Sequence, residues 1–229
     1  MLTGGLLSGV GAIAFDAVGT LITPDPPVAA LYHAIGSRHG SRLTAEAIRS
    51  RFSVAFRVEE ERDRAAGWRT NPAREFDRWR QIVSAVLDDV TDPDACFREL
   101  WDHFSQPTSW RCLPDAGLLL AELSNRGLMA GLASNFDNRL RAVAAGLPDL
   151  TAIGPIVVSA EVGWRKPAAE FFAAVIRAFG CRPSEILLVG DDYENDFVGA
   201  NAAGLQAILL GAASRPGVVG INRLADLVR

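Results

Sequence analysis

The chain is poor in the residues that staple or metal-clip small proteins. Its cysteines, Cys96, Cys112 and Cys181, are odd in number and form no C-x-x-C pair. That excludes a disulfide framework and a cysteine zinc site, and points to free thiols in a reducing compartment. No apolar run reaches the roughly 18 residues of a membrane span. A basic surplus is also missing: the formal net charge is −4, so nucleic acid is not an expected partner. Basic residues gather between positions 38 and 80, but Glu59, Glu60, Glu61 and Asp63 are interleaved with them, the pattern of a solvated helical face. The apolar start, MLTGGLLSGVGAIAF, has no positive leading region, and cleavage at its A-x-A (12–14) would cut into a strand. It is read as a loose end before a core strand, and the protein as cytoplasmic. Internal repeats and low-complexity stretches are lacking too.

What is present is ordinary globular material: 229 residues, 49% apolar and 22% charged, enough for a sizeable core. Two zones differ in periodicity. Residues 26–106 hold helical patterns at 28–39, 44–65, 73–89 and 94–105, broken at Gly40, at Gly67 to Pro72 and at Asp92–Pro93. Phe52, Phe56, Trp79, Phe97 and Trp101 fall on the inner faces of this bundle and read as core. Residues 108–229 alternate helices (115–126, 137–145, 167–179, 195–203) with short apolar runs (128–134, 156–159, 185–192, 206–210). Such runs mean a parallel sheet buried on both faces. The strand at 12–16 belongs with them. The expected organisation is an α/β core made of residues 1–24 and 108–229, with a helical unit, 25–107, inserted after the first strand. Pro24, Pro26, Pro27 and Pro107 punctuate the crossings.

In an open parallel sheet, ligands bind beyond the carboxyl ends of the strands. Asp16 follows the first strand, Ser134-Asn135 the second, Lys166 the third, and Asp191-Asp192 the fourth, with Asp196 close behind. Each alone reads as a cap or a surface group; all at one sheet edge read as a site. Carboxylates clustered without histidine or cysteine suit a hard cation such as Mg²⁺. Lys166 and the cation offset the charge of a phosphoryl group, Ser134 and backbone N–H groups at a helix N-terminus hold its oxygens, and Asp16 is placed to attack phosphorus.

These stretches resemble the motifs of the haloacid dehalogenase superfamily. FDAVGTL (15–21) is similar to the first, SNFD (134–137) to the second, GWRKP (163–167) to the third and GDDYEND (190–196) to the fourth. SNFDNRL, SAEVGWRKP and GDDYENDFVGANAAG, with FSQPTSWRCLPDA (104–116), narrow the resemblance to one hydrolase subgroup. It implies a Rossmann-like core with a helical cap of the type inserted between the first two motifs. It also implies roles. Asp16 is nucleophile and Mg²⁺ ligand, with the Val18 backbone carbonyl and Asp191 as further ligands. Asp196 holds metal-bound water or orients the lysine, with Asp192 as the alternative for either. Ser134 and the Asn135 backbone bind phosphate, Lys166 bridges phosphate and Asp16, and Thr20 steadies the first loop. The cap closes over the substrate and excludes water.

One position departs from the pattern. Most phosphatases of this superfamily carry Asp-x-Asp in the first motif, and the second Asp supplies general acid–base help; here it is Val18. Three readings follow. The first is a Mg²⁺-dependent phosphatase of a small phosphorylated metabolite, restricted to good leaving groups or borrowing an acid from Asp25, Tyr32, His33 or Glu59. The second is a metal-independent 2-haloacid dehalogenase, since halide leaves without a proton. The third is a non-catalytic module that binds a phosphorylated ligand or a protein. Substrate selection is expected from cap residues, with Arg57, Arg64, Trp68 and Trp79 as candidates. Oligomeric state stays open.

Overall fold

The computed structural model of the chain describes residues 5–211 and 216–229; the loose end read at the N-terminus lies partly outside them. Strand β1 (Ala12–Phe15) is wholly buried. It leads through a tight loop to β2 (Ile22–Pro24). Four helices follow: α1 (Val28–Arg38), α2 (Ala45–Ala65), α3 (Pro72–Val86) and α4 (Pro93–His103). The expected breaks are helix starts with a stated chemistry. Asn71 and Asp92 accept from the backbone N–H of Arg74 and Ala95, each with proline at the first helical position, where its missing N–H costs nothing.

The chain returns through β3 (Trp110–Cys112), which pairs antiparallel with β2. The two crossings between the sheet and the helices thus form one ribbon. Three-residue strands with proline carry too little alternation to be read from sequence. Then come α5 (Ala116–Asn125), β4 (Met129–Ser134), α6 (Arg139–Ala145), β5 (Ile156–Val158) and α7 (Ser159–Val162). After them lie α8 (Ala169–Phe179), β6 (Ile186–Gly190), α9 (Gly199–Ala202), β7 (Gln206–Leu210) and β8 (Gly220–Ile221).

The main sheet has six strands in the order β5-β4-β1-β6-β7-β8, all parallel. It is the α/β Rossmann-like architecture expected. Successive β1 residues serve opposite faces: Ile13 and Phe15 pack with Leu119, Leu132 and Val189, while Ala12 and Ala14 pack with Phe171, Phe172 and Val175. That explains the unbroken apolar run. The four helices have their own core around Leu31, Ile35, Ile48, Ile82 and Val86. The strand order reverses across β1, so the crevice at its carboxyl end lies between the ends of β4 and β6. Among the described residues no helix is long and apolar enough to cross a membrane.

Candidate active site

Asp16 sits one residue beyond β1, its amide donating to Val189 O at 2.9 Å. Asp191 follows β6, and Asp196 lies on a wide helical turn (Tyr193–Val198). Carboxylate oxygens of Asp16, Asp191 and Asp196 all lie within 4.8 Å of one another. Lys166 is buried against them. Its Nζ donates to Asp16 Oδ1 at 2.7 Å, Asp196 Oδ1 at 2.6 Å and Ala133 O at 2.9 Å, which engages all three ammonium donors. Burial alone would lower the lysine pKa, but Asp16 and Asp196 hold it above the ordinary value, so the group is a fixed positive charge. Three carboxylates face that single ammonium. Burial, with Asp16 adding, pushes the pKa of Asp191 up to about 6, and burial likewise raises that of Asp196.

Close approach depends on two glycines. Gly19 has φ +88°, and a Cβ there would collide with the Asp191 carboxylate; one at Gly190 would collide with Asp196. Thr20, fully buried, donates to Asp191 Oδ1 at 3.4 Å, a long bond. The lysine loop is fixed by Asn135, whose side chain accepts from Lys166 N at 2.7 Å and donates to Lys166 O at 3.0 Å. Its side chain therefore holds the protein. Ser134 is buried and, with Asn135 and Val18, lines the same cavity. Helix α6 begins at Arg139 rather than 137, because the Asp137 carboxylate takes the Arg139 amide and guanidinium in a turn before it. The amides of 135 and 136 thus precede the helix. Asp196 accepts from Lys166 Nζ and from Asp192 N at 3.1 Å; Asp192 accepts from Asn195 N at 2.8 Å and caps the turn.

The cavity over these residues measures about 360 Å³. Of the candidate proton donors, only Tyr32 lines it. Asp25 is exposed and 3.8 Å from Arg111, His33 lies outside against Leu43 O, and Glu59 is buried in ion pairs with Arg62 and Arg74. The neighbouring Glu60 does reach the cavity, and Asn195 Nδ2 donates to it at 3.0 Å. Of the selection candidates, Trp79 lines the cavity and Arg57, Arg64 and Trp68 do not. The aromatic residues read as core, among them Phe52, Phe56 and Trp101, form its upper wall. Helical periodicity cannot tell a core face from a cavity face, since both are apolar.

One sequence signal for this site is compositional: Lys166 is the only lysine in the chain, every other long cation being arginine. A compact ammonium is used where a planar guanidinium would not fit. Lys166→Arg is therefore expected to destabilise the fold by ~1–3 kcal/mol through overpacking, read as a lower urea midpoint. A midpoint at or above wild type would show that the pocket accepts the larger head.

Comparison with known proteins agrees with this geometry. The model of the haloacid dehalogenase-like hydrolase family matches residues 10–204. Haloacid dehalogenase-like hydrolase domain-containing protein 3 of Homo sapiens is 28% identical over 223 residues, covering 95% of this chain and 85% of its own. Phosphoserine phosphatase of Thermus thermophilus is 34% identical over 155 residues, covering 66% of this chain and 59% of its own. Among solved structures, a phosphatase of the superfamily from Thermococcus onnurineus superposes with TM-score 0.66 at 21% identity, over 95% of this chain and 96% of that one. The L-2-haloacid dehalogenase of Xanthobacter autotrophicus gives 0.69 at 21% identity, over 90% and 79%. With the family model spanning every strand-end residue that builds the site, the chain belongs to the haloacid dehalogenase-like hydrolases.

Proposed function

We propose that this hydrolase is a Mg²⁺-dependent phosphatase that works through an aspartyl phosphate on Asp16. The observation that carries the reading is the excess of carboxylate over ammonium at one sheet edge. Asp16, Asp191 and Asp196 offer oxygens within 4.8 Å against one lysine. Among the described residues, Oδ2 of Asp16 and Oδ2 of Asp191 accept no hydrogen bond, whereas both oxygens of Asp196 are taken. All-oxygen donors with surplus negative charge fit a hard divalent cation. Asp16 and Asp191 would hold it, with the Val18 carbonyl as a further candidate. When bound, it supplies charge neutralisation to the phosphoryl oxygens.

The protein's own groups do the rest. Asp16, aimed by Lys166, attacks phosphorus; the bond to the leaving oxygen breaks as the Asp16–phosphorus bond forms. Water then attacks phosphorus, releasing phosphate and restoring the carboxylate. The fixed charge of Lys166 stabilises the phosphoryl group at short range, and Ser134 and the 135 backbone contact its oxygens. Residues 25–107 act as the cap over the core of 1–24 and 108–229, and exclude water.

The test is phosphate release from a broad monoester panel. Activity is expected with Mg²⁺, to vanish on chelation, and to fall at least ~10³-fold in Asp16→Asn, which cannot form the intermediate. Metal-independent chloride release from 2-chloropropionate would assign the dehalogenase reaction instead. A phosphorylated ligand bound but never turned over would assign the binding module.

A further inference from the structure

The wall opposite the carboxylates carries a second message. It is built from the inner faces of α1, α2, α3 and α4 and is largely aromatic. Tyr32 meets Phe52 edge-on with ring centroids 5.6 Å apart, Phe52 stacks on Phe56 at 6.1 Å, and Trp79 leans on both at 6.4 Å. Trp110 closes the side against Phe136 at 5.8 Å. All of these line the cavity.

Charge is present but already used. The cations that line it are Arg139, Arg165 and Lys166. Arg139 forks onto both oxygens of Asp137 at 2.8 and 2.7 Å and lies 3.4 Å over the Trp101 ring. Arg165 is paired with Glu75 and lies 3.6 Å from Asp63. Lys166 is paired with Asp16 and Asp196. Among the described residues no further cation lines the cavity above the phosphate position for a carboxylate or a second phosphate. An anionic substituent brought here would stay unpaired at low dielectric, which is costly. A sugar's hydroxyls would meet mainly ring faces, since the polar pair on this side, Glu60 and Asn195, is bonded to itself at 3.0 Å.

Val18 points the same way through chemistry. An alkoxide leaving group has a conjugate acid about as weak as water and departs poorly without a proton. A phenoxide, whose conjugate acid has a pKa of about 10, does not need one. Flat ring walls, paired charges and the absent acid at position 18 have one common solution.

Resting on the phosphatase reading, we propose that the substrate is a phosphate monoester of an uncharged aromatic alcohol, an aryl phosphate whose ring lies against Phe52, Phe56 and Trp79. The phosphate takes the Asp16–Lys166 edge and the ring takes the wall above it. The cavity, about 360 Å³, is of the size that encloses a small organic ligand.

The experiment compares kcat/KM with Mg²⁺ for phenyl phosphate, 1-naphthyl phosphate and free phosphotyrosine, whose phenolic leaving groups are similar, beside acetyl phosphate. Acetyl phosphate needs neither wall nor acid, so it reports the phosphatase reading alone. Naphthyl phosphate is expected to exceed phenyl phosphate by about 10-fold for the added apolar surface. Phosphotyrosine, with its charged amino-acid end, is expected at least ~10-fold below phenyl phosphate. Trp79→Ala should cut the naphthyl-to-acetyl ratio by about 10-fold through lost ring contact, with circular dichroism confirming the fold. Phosphotyrosine matching phenyl phosphate, naphthyl phosphate showing no gain, or a ratio unmoved by Trp79→Ala would each overturn the aryl assignment while acetyl phosphate turnover keeps the phosphatase. No turnover of any of the four removes both.

Discussion

Val18→Asp is expected to raise kcat on alkyl phosphates by ~10²-fold or more, within the 10²–10⁴ range of general acid–base help, and to change aryl phosphate turnover little. The selectivity follows from the leaving groups. An alkoxide gains most from a proton delivered in the transition state, a phenoxide least. Val18 is half-buried, lines the cavity and sits two residues from Asp16 on the loop before β2, so the substitution changes chemistry at the mouth without opening the core. A fourth carboxylate beside Asp16 and Asp191 would have its own pKa raised by its neighbours, which favours the protonated form a general acid needs. A 10² gain corresponds to about 2.7 kcal/mol of barrier. The measurement is the slope of log kcat against leaving-group pKa in both proteins, at saturating Mg²⁺. Wild type should be steep and the variant shallower. An unchanged slope with no gain on alkyl substrates would mean that position 18 does not limit turnover, and would turn attention to Glu60, the helical-layer carboxylate at the cavity.

The extent to which this site could be read in advance follows a physical division. Strand ends were legible because a strand buried on both faces is a short unbroken apolar run, and the residue after it is placed by the sheet; Asp16, Ser134 and Asp191 follow directly. Lys166 and Asp196 lie several residues past their strands, so the sheet edge gives only their neighbourhood, and only the fold brings Lys166 Nζ within 2.7 Å of both carboxylates. The cavity was not legible. Phe52 and Trp79 repeat at helical spacing as core residues do, and the pattern does not say whether the facing surface is protein or empty space. Position 59 misled in both directions. Glu59 was a donor candidate because it carries an acid in the helical unit, yet its partners lie on α2 itself and α3, and Glu60, one residue on, faces the site. The charged run 59–63 read as a solvated face, which is the ordinary fate of mixed charge on a helix. Here Glu59 and Asp63 are buried, because arginines from distant segments neutralise them. Sequence distance hides such pairing.

Those buried charges carry the second large effect: Asp63→Ala is expected to destabilise the protein by ~3–5 kcal/mol, the cost of removing one partner of a buried ion pair. Asp63 has no solvent exposure. It accepts from Arg74 at 2.6 Å and Arg78 at 2.9 Å, both on α3, and Arg165 lies 3.6 Å away. Arg165 also pairs with Glu75, which accepts from Thr70 at 2.7 Å. Burial would raise the Glu75 pKa, but Arg165, Thr70 and Arg78 hold it below the ordinary glutamate value. Burial and the nearby Arg165 lower the Arg78 pKa to about 10, and Glu75 and Asp63 oppose that shift. The backbone follows the same seam: Thr70 N donates to Gly163 O at 3.0 Å and Arg165 N to Trp68 O at 2.9 Å. Removing Asp63 leaves Arg78 without its ion-pair partner and takes one of two from Arg74, beside the junction between the α2–α3 turn and the loop that carries Lys166. Stability and lysine placement should therefore fall together. The comparison is Asp94→Ala, which breaks an exposed pair with Arg80 at 3.0 Å and is expected to cost less than ~1 kcal/mol. Urea midpoints for both variants decide it. Equal losses would mean that the seam is not held by these charges, whereas a large loss for Asp63→Ala alone makes the ion-pair cluster the structural joint between the helices and the catalytic edge.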